Sequence, residues 1–157
     1  MRSEEEAIQA IERYADMVKR ICMLHLKNKQ DTEDIFQTVF LKYVLYSGTF
    51  ETAEHEKAWL IRVTINACKD LLKSFYRKLL PLEETVGIAS TDRGYSEVLD
   101  IVFSLPPKYK DVVYLFYYEG YTAGEIAKIL RKKENTIYSL LSRARSLLRE
   151  EIGGADF

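Results

Sequence analysis

The sequence contains few of the residues that interrupt or cross-link a chain. Its 157 residues include three prolines, seven glycines and two cysteines. So little proline and glycine argues against a β-sandwich, a collagen-like chain and a low-complexity chain. Two cysteines are too few for a disulfide scaffold, and we interpret Cys22 and Cys68 as buried thiols within helices.

Long apolar runs are also missing. No stretch approaches the roughly 18 apolar residues that cross a bilayer, so we expect no membrane insertion. The N-terminal segment, MRSEEEAIQAIERY, is acidic and lacks the basic start and apolar stretch of a signal peptide. We therefore expect a cytoplasmic protein. Its net charge of −1 is unlike that of a free-standing nucleic-acid binder, which is usually basic overall.

The sequence contains no constellation of residues typical of catalysis. It has no glycine-rich phosphate loop and no nucleophile elbow, and its two histidines fall in different predicted elements. Cys22 and His25 could supply half of a metal site on one helical face, but no further cysteine or histidine lies at a suitable spacing. We predict no enzymatic activity, no metal and no cofactor.

Helical periodicity runs through most of the chain, and no segment alternates like a strand. It predicts a first helix over about 4–27, with an apolar stripe that begins at Ile8. A second helix is predicted to follow an N-cap at Asp31 and to end at 47–49, and a third to run over about 54–78. Residues 79–96 are acidic and have no clear period. We therefore predict an all-α fold of two small helical modules, 1–78 and 97–157, joined by an acidic linker at 79–96.

The C-terminal module has the pattern of a helix-turn-helix. Thr122 and Glu125 form a capping box, residues 131–133 form the turn, and a longer helix starts at Glu134. Between 128 and 149, seven basic residues stand against one acidic residue, which favours phosphate contact. One face of the longer helix has polar side chains suited to a major groove, namely Asn135, Tyr138, Ser139, Ser142 and Arg143. The alternative is a solvated helical hairpin.

A second basic surface is predicted on the third helix. Between 57 and 78, six basic residues stand against one acidic residue, Asp70, and Trp59, Phe75 and Tyr76 are interleaved with them. This mixture is typical of single-stranded DNA binding, where charge follows the backbone and rings stack on bases. The alternative is a solvated basic face with the aromatic rings turned to the core, which we favour for Phe75.

Four motifs follow one another along the chain. TEDIFQTVF at 32–40 has the pattern acidic-Asp-x-x-Gln-x-x-Phe, and WLIRVTINACKD at 59–70 has the pattern Trp-Leu-x-Arg-x-x-x-Asn-x-x-x-Asp. LPP stands at 105–107, and EIA at 125–127 is followed by SRAR at 142–145. In this order the motifs resemble bacterial RNA polymerase sigma factors of the extracytoplasmic-function (ECF) group, over nearly the whole chain.

The resemblance implies a promoter-specificity subunit. It would bind core RNA polymerase and direct promoter recognition, DNA melting and transcription initiation, contacting both double-stranded and melted promoter DNA. Residues 1–78 would bind the polymerase clamp and the minus-ten element, and residues 97–157 would bind the minus-thirty-five element. The linker at 79–96 would thread through polymerase channels. The family also implies an anti-sigma protein as a regulatory partner.

The resemblance assigns three sets of residues. Polymerase would be bound by the second helix at Asp34, Gln37, Phe40 and Leu41. Minus-ten DNA would be bound by the third helix and by a loop that receives an extruded base, at Phe50, Glu51, Thr52, Trp59, Arg62, Asn66, Lys69 and Lys73. Minus-thirty-five DNA would be bound at Arg131, Lys132, Lys133, Asn135, Thr136, Tyr138, Ser139, Ser142, Arg143 and Arg145.

Three positions depart from the family pattern. Many members carry a basic residue where Tyr138 and Leu140 stand, and losing two cations should weaken phosphate attraction. Tyr138 can still stack or hydrogen-bond, and Leu140 can pack against a neighbour. Members often have glycine where Arg131 stands, and a positive φ at a non-glycine residue carries some strain.

Two other functions compete with the sigma-factor interpretation. A stand-alone helix-turn-helix operator-binding regulator would use residues 1–78 for dimerisation or sensing, and would bind a two-fold operator tightly without polymerase. A protein-binding helical adaptor would keep the helix-turn-helix only as a remnant.

Overall fold

The structure, a computed structural model, describes residues 1–79 and 102–152, with side chains described over 1–74 and 102–150. All regular structure within these ranges is helical, which confirms the predicted all-α class. The chain divides into two compact units, Met1–Thr91 and Asp92–Phe157. Apart from its first residue, the predicted linker at 79–96 lies outside the described residues.

The first unit contains three helices that pack against one another. These are α1 (Glu4–Leu26), α2 (Lys29–Leu45) and α3 (Ala53–Leu79), and every pair of them is in contact. Side chains that are fully or almost fully buried come from all three helices, which is what a single shared core requires: Val18, Ile21, Cys22, Val39, Leu60, Ile61, Ile65 and Cys68. The prediction that both cysteines are buried thiols is confirmed.

The connection between α1 and α2 is shorter than the sequence predicted. Lys27 adopts the left-handed conformation (φ 62°), which ends α1 without a glycine. Asn28 is then the N-cap of α2, because its side-chain oxygen accepts a 2.8 Å hydrogen bond from the Asp31 N–H. The predicted N-cap at Asp31 is therefore wrong, and Asp31 instead places its acidic group in the first turn.

The buried face of α1 also differs from the predicted stripe. Ile8, where the stripe was expected to begin, is 47% exposed. Burial begins at Ala10 and continues through Tyr14 and Met17. Val18, Cys22 and Leu26 continue the helical spacing from Ile8 and are buried as predicted, so the difference is confined to the start of the helix.

One carboxylate links all three helices of the first unit. Glu56, in the first turns of α3, accepts hydrogen bonds from the Tyr14 hydroxyl of α1 (3.3 Å) and the Tyr43 hydroxyl of α2 (2.6 Å). Arg13 Nη1 lies 3.7 Å from the same carboxylate. Burial, followed by the hydrogen bond to Glu56, raises the pKa of Tyr43 to about 12.

The second unit is built around its last helix. After a helical segment at 102–104 come α4 (Pro107–Val113), α5 (Ala123–Leu130) and α6 (Glu134–Ile152), and both α4 and α5 pack against α6. The side chains between α4 and α6 form a cluster that we call the α4–α6 core, made of Leu105, Tyr109, Val113, Ala144 and Leu148.

A π-helical turn, Tyr114–Tyr118, extends α4. It is closed by a hydrogen bond from the Glu119 N–H to the Tyr114 carbonyl at 3.1 Å. Gly120 follows with a φ of 81°, and the Tyr121 N–H donates to the Leu115 carbonyl at 3.0 Å. The left-handed conformation at Gly120 therefore ends the helix, as glycine commonly does after a last turn.

Candidate nucleic-acid interface

The outward face of α6 presents the polar side chains that the sequence predicted. Ile137, Leu141 and Ala144 are buried within the unit, so helical periodicity turns the positions between them outward. The exposed residues on this side are Asn135, Thr136, Tyr138, Ser139, Ser142 and Arg143. Apart from Tyr138 and Arg143 their side chains are short, which lets a helix approach base edges closely.

The turn before α6 places three exposed cations beside this face. Arg131 has φ 58° and ψ 50°, so the left-handed conformation expected from the sequence is present without a glycine. The N–H groups of Arg131 and Lys132 both donate to the Ala127 carbonyl, a common way to end a helix. The backbone strain at Arg131 is about 1 kcal/mol. Lys132 and Lys133 complete the basic turn.

The α5 helix that precedes the turn is fixed at its own start. Thr122 Oγ1 accepts from the Glu125 N–H at 3.1 Å, and Glu125 Oε1 accepts from the Thr122 N–H at 2.9 Å. This is the predicted capping box, and it is confirmed. Because the next connection has only three residues, fixing α5 also fixes where α6 begins.

Arg145 has a partner within the protein. Its Nε donates to the Tyr117 hydroxyl at 2.7 Å, and its guanidinium carbon lies 5.7 Å and 5.9 Å from the ring centroids of Phe116 and Tyr117. Both aromatic residues belong to the π turn. The predicted DNA contact of Arg145 therefore competes with an interaction that joins the π turn to α6.

The two family departures on α6 have different surroundings. Leu140 is partly buried and packs against the α4–α6 core, which confirms the expectation that it packs on a neighbour. Tyr138 is 56% exposed and keeps its ring and hydroxyl on the outward face. Of these two residues, only Tyr138 is thus available to a ligand of α6.

Aromatic rings gather at the loop between α2 and α3, residues 46–52, which we call the 46–52 loop. The Phe50 ring lies parallel to the Tyr43 ring at 6.1 Å and stacks with Tyr46 at 5.5 Å. Trp59 meets Phe50 edge-on at 5.7 Å and lies 4.8 Å from Tyr46. Phe50 and Trp59, both predicted to bind minus-ten DNA, are therefore half-buried in one cluster.

The other two predicted residues of this loop lie where α3 begins. Thr52 Oγ1 accepts a 3.0 Å hydrogen bond from the His55 N–H, which caps the helix. The Glu51 N–H donates to His55 Nδ1 at 3.3 Å, so the backbone here is held by the first turn of α3. The side chains of Glu51 and Thr52 are both exposed.

The predicted minus-ten residues of α3 share one side of the helix. Positions 62, 66, 69 and 73 are spaced by three or four residues, which places their side chains in one row. Asn66 and Lys73 are exposed, while Arg62 and Lys69 are half-buried and have interactions within the chain. The row combines one amide with three cations, as the sequence predicted.

The surface predicted to bind polymerase includes a row of exposed residues on α2. We call it the α2 stripe, and it consists of Asp34, Gln37, Leu41 and Leu45. Leu41 and Leu45 are 59% and 58% exposed, which is unusual for two leucines in one row. Phe40 differs from the other predicted residues, because it is buried and packs on Phe36 at 4.9 Å.

Sequence reasoning missed two residues near these surfaces. Arg2 donates hydrogen bonds to the carbonyls of Tyr46 and Gly48, and Glu56 accepts from two tyrosines as described above. Both sets of contacts join residues far apart in the sequence. No local pattern could have indicated them.

The structure places Cys22 and His25 in the core of the first unit. Within the described ranges, no three histidine, cysteine, aspartate or glutamate side chains are grouped so that they could hold a metal ion. Among the helices of the same ranges, none is long and apolar enough to cross a membrane.

Known protein families match both units. The family model for sigma-70 region 2 matches residues 10–78, and the model for sigma-70 region 4 matches residues 96–148. RNA polymerase sigma factor SigV of Bacillus subtilis is 27% identical over 144 residues, covering 87% of this chain and 85% of SigV. ECF RNA polymerase sigma factor SigM of Mycobacterium tuberculosis is 25% identical over 149 residues, covering 92% and 76%.

A solved structure has the same fold. Sigma factor RpoE from Bartonella quintana, in complex with the anti-sigma factor NepR, matches with a TM-score of 0.79 at 20% identity, covering 95% of this chain and 98% of RpoE. The sigma-70 family is not a family of catalytic enzymes. With both sigma-70 regions in order and ECF relatives along nearly its whole length, this chain belongs to the sigma-70 family as an ECF sigma factor, which binds core RNA polymerase and promoter DNA.

Proposed function

We propose that this sigma factor reads the minus-thirty-five element as duplex DNA with α6 and captures the melted minus-ten element with the 46–52 loop and α3. The observation that carries the proposal is the two-sided character of α6. One side is buried around Ile137 and Leu141, and the other exposes polar side chains beside a turn of three cations. Such a helix fits a major groove, with the turn at the phosphates.

Within α6, Arg143 is the residue best suited to specify a base. It is exposed, and a guanidinium can donate two hydrogen bonds to guanine O6 and N7. Asn135, Ser139 and Ser142 supply shorter donors and acceptors nearby. Arg145, which is bonded to Tyr117, is proposed to orient α6 against the π turn more than to contact DNA.

The minus-ten surface combines a loop with a helix row. Glu51 and Thr52 expose their side chains at the start of α3, next to the half-buried ring of Phe50. An unstacked base needs a place to stack and polar groups to recognise its edge. Asn66 supplies an exposed amide, and Arg62, Lys69 and Lys73 supply charge for the backbone of the melted strand.

The α2 stripe is proposed to bind core polymerase. Leu41 and Leu45 are apolar and about three-fifths exposed, although four other apolar side chains of the same helix are buried. Covering the exposed three-fifths of each leucine contributes roughly 1–2 kcal/mol. Phe40 is proposed to support this surface and not to contact polymerase directly, because its ring is buried and packs on Phe36 within the unit.

Further aspects of the proposal follow from the family. The modules are assigned to 1–78 and 97–157, with the linker at 79–96 between them. The chain is proposed to act without catalysis of its own, in the cytoplasm beside core polymerase. An anti-sigma partner is proposed because the sigma factor RpoE was solved in complex with the anti-sigma factor NepR.

The proposal is tested by reconstitution. The purified chain is mixed with bacterial core RNA polymerase, complex formation is measured by gel filtration, and the complex is tested for run-off transcripts on a genomic-fragment library. We expect a stoichiometric complex that starts transcripts on fragments sharing two spaced motifs. Tight, specific DNA binding by the chain alone, without a polymerase complex, would instead support an operator-binding regulator.

A further inference from the structure

The 46–52 loop is held by Arg2, which precedes α1 in the sequence. The Arg2 backbone N–H donates to the Val44 carbonyl at 2.9 Å, in the last turn of α2. The Arg2 guanidinium donates through Nη1 to the Tyr46 carbonyl and through Nη2 to the Gly48 carbonyl, at 2.5 Å and 2.9 Å. Arg2 therefore bonds to three alternate carbonyls along the chain as it leaves α2.

The same guanidinium also faces the aromatic cluster. Its central carbon lies 4.9 Å from the Tyr43 ring centroid, 5.6 Å from that of Tyr46 and 4.8 Å from that of Phe50. These distances fall within the range of cation–π attraction. Because a guanidinium is planar and has several donors, one side chain can contact rings and carbonyls at once.

The loop itself has little regular structure. Residues 46–50 belong to no helix, so their backbone has no regular ladder of hydrogen bonds. At Gly48, any side-chain carbon would collide with the ring and hydroxyl of Tyr46, which means that the Tyr46 ring closes over the glycine. Ordering such a segment costs conformational entropy, and Arg2 supplies contacts that offset this cost.

We propose that Arg2 is a positioning residue for recognition of the melted minus-ten strand, an inference that rests on the proposed role of the 46–52 loop. By holding the Tyr46 and Gly48 carbonyls and the Phe50 ring, Arg2 fixes the loop in the shape that receives the extruded base. Arg2 itself does not read the base. None of these contacts involves a side chain of the α2 stripe, so we expect loss of the Arg2 side chain to leave binding to core polymerase unchanged.

The test uses holoenzyme reconstituted with core polymerase and a promoter recovered by the run-off selection. Four variants are compared with the wild type: Arg2→Ala, Arg2→Lys, Phe50→Ala as the loop control, and Lys29→Ala, which removes an exposed cation of the same unit. Binding is measured on a promoter fragment unpaired over the minus-ten element and on versions with single-base changes in its non-template strand. Affinity for core polymerase and the melting temperature of the free chain are measured in parallel.

We expect Arg2→Ala to reduce discrimination at one minus-ten base about tenfold, since two charge-assisted hydrogen bonds and the ring contacts are lost together. Affinity for core polymerase should stay unchanged. Arg2→Lys should recover only part of the discrimination, because an ammonium does not reproduce the planar fork. Lys29→Ala should bind the promoter as the wild type does.

Four results would overturn the inference. If Arg2→Ala discriminated between bases as the wild type does while Phe50→Ala did not, Arg2 would have no role in recognition and the role of the loop would stand. Wild-type discrimination by Phe50→Ala would show that the loop assignment in the proposed function is itself wrong. If Arg2→Ala lost affinity for core polymerase to the same extent as base discrimination, Arg2 would support the fold of the unit and would have no specific role in recognition. Full recovery of discrimination by Arg2→Lys would indicate that a positive charge alone is sufficient and that the planar guanidinium is not required.

Discussion

The Tyr43 hydroxyl donates a 2.6 Å hydrogen bond to Glu56 Oε2, joining α2 to the first turns of α3. The ring of the same tyrosine lies parallel to Phe50 and faces the Arg2 guanidinium at 4.9 Å. The phenol that donates to this largely buried carboxylate is thus in direct contact with the residues that shape the 46–52 loop. The stability of the first unit and the form of its loop therefore depend on some of the same side chains.

Tyr43→Phe is expected to lower the free energy of unfolding of the first unit by about 1–3 kcal/mol at neutral pH. The substitution removes a donor from Glu56, whose side chain is only 15% exposed. Urea unfolding followed by circular dichroism measures the change. Tyr14→Phe is the control, and a smaller loss is expected because its bond to Glu56 is longer, at 3.3 Å. Equal losses would contradict this ranking of the two bonds.

The same variant should change how stability depends on pH. Folding raises the pKa of Tyr43 from 10.0 to about 12, so the folded state favours the protonated phenol. This contribution is fully present below pH 10 and is lost as pH rises towards 12. The stability difference between wild type and Tyr43→Phe should therefore shrink over that interval. A constant difference across it would show that the Tyr43 hydroxyl does not titrate as described.

Leu41→Asp is expected to weaken binding to core polymerase at least tenfold, because it removes an apolar contact worth roughly 1–2 kcal/mol and puts a charge in its place. The stability of the free chain should change little, since Leu41 is 59% exposed. Fluorescence titration of labelled core polymerase measures the affinity. Ile8→Asp, at an exposed apolar position of α1, is the matched control. Unchanged affinity for Leu41→Asp would remove the α2 stripe from the polymerase interface.

Asn66→Ala is expected to impair promoter opening or minus-ten readout while leaving core binding intact. Asn66 is exposed on α3, in the same row as Lys73, so its loss removes an amide from the proposed DNA surface without opening the core. Permanganate reactivity of unpaired thymines in the holoenzyme complex reports opening. A parallel loss of core affinity would mean that Asn66 supports the fold and does not read DNA.

Arg143→Ala is expected to cost about 1–3 kcal/mol in promoter binding and to relax base preference at one minus-thirty-five position. Arg145→Ala should cost less in base preference, because Tyr117 already holds that guanidinium. Footprinting of the holoenzyme on single-base promoter variants separates the two. Arg149→Ala removes an exposed cation further along α6 and is the charge control. An unchanged base preference for Arg143→Ala would exclude its assignment as a base reader.

The helices were predictable where burial follows the apolar period. The helix-turn-helix is the best example, since Ile137, Leu141 and Ala144 repeat at helical spacing and Thr122 with Glu125 forms a local cap. Helix ends that depend on backbone conformation are harder to predict. Lys27 adopts a left-handed conformation that sequence patterns reserve mainly for glycine and asparagine, and so the sequence pattern places the N-cap of α2 three residues late.

The candidate site was predictable only in its exposed parts. Asn66 and Arg143 follow from helical spacing on surfaces that the core leaves free. The role of Arg2 depends on contacts with residues more than 40 positions away, and no pattern near it indicates them. The burial of Phe40 and the pairing of Arg145 with Tyr117 likewise depend on tertiary packing, which a motif does not describe.

The π turn at Tyr114–Tyr118 makes the number of residues in this segment matter as much as their chemistry. Its i to i+5 hydrogen bond accommodates one residue more than a regular α-helical turn. Deleting one residue within this turn would let α4 continue as an α-helix, and the side chains before and after the turn would keep their directions, because the π turn already absorbs the extra residue. A deletion in a regular α-helical turn of α4 would instead rotate each following side chain by about 100° around the axis, and a different side chain would face Arg145 in place of Tyr117. The π turn thus marks a place where the segment can lose a residue without rotating its flanks against α6.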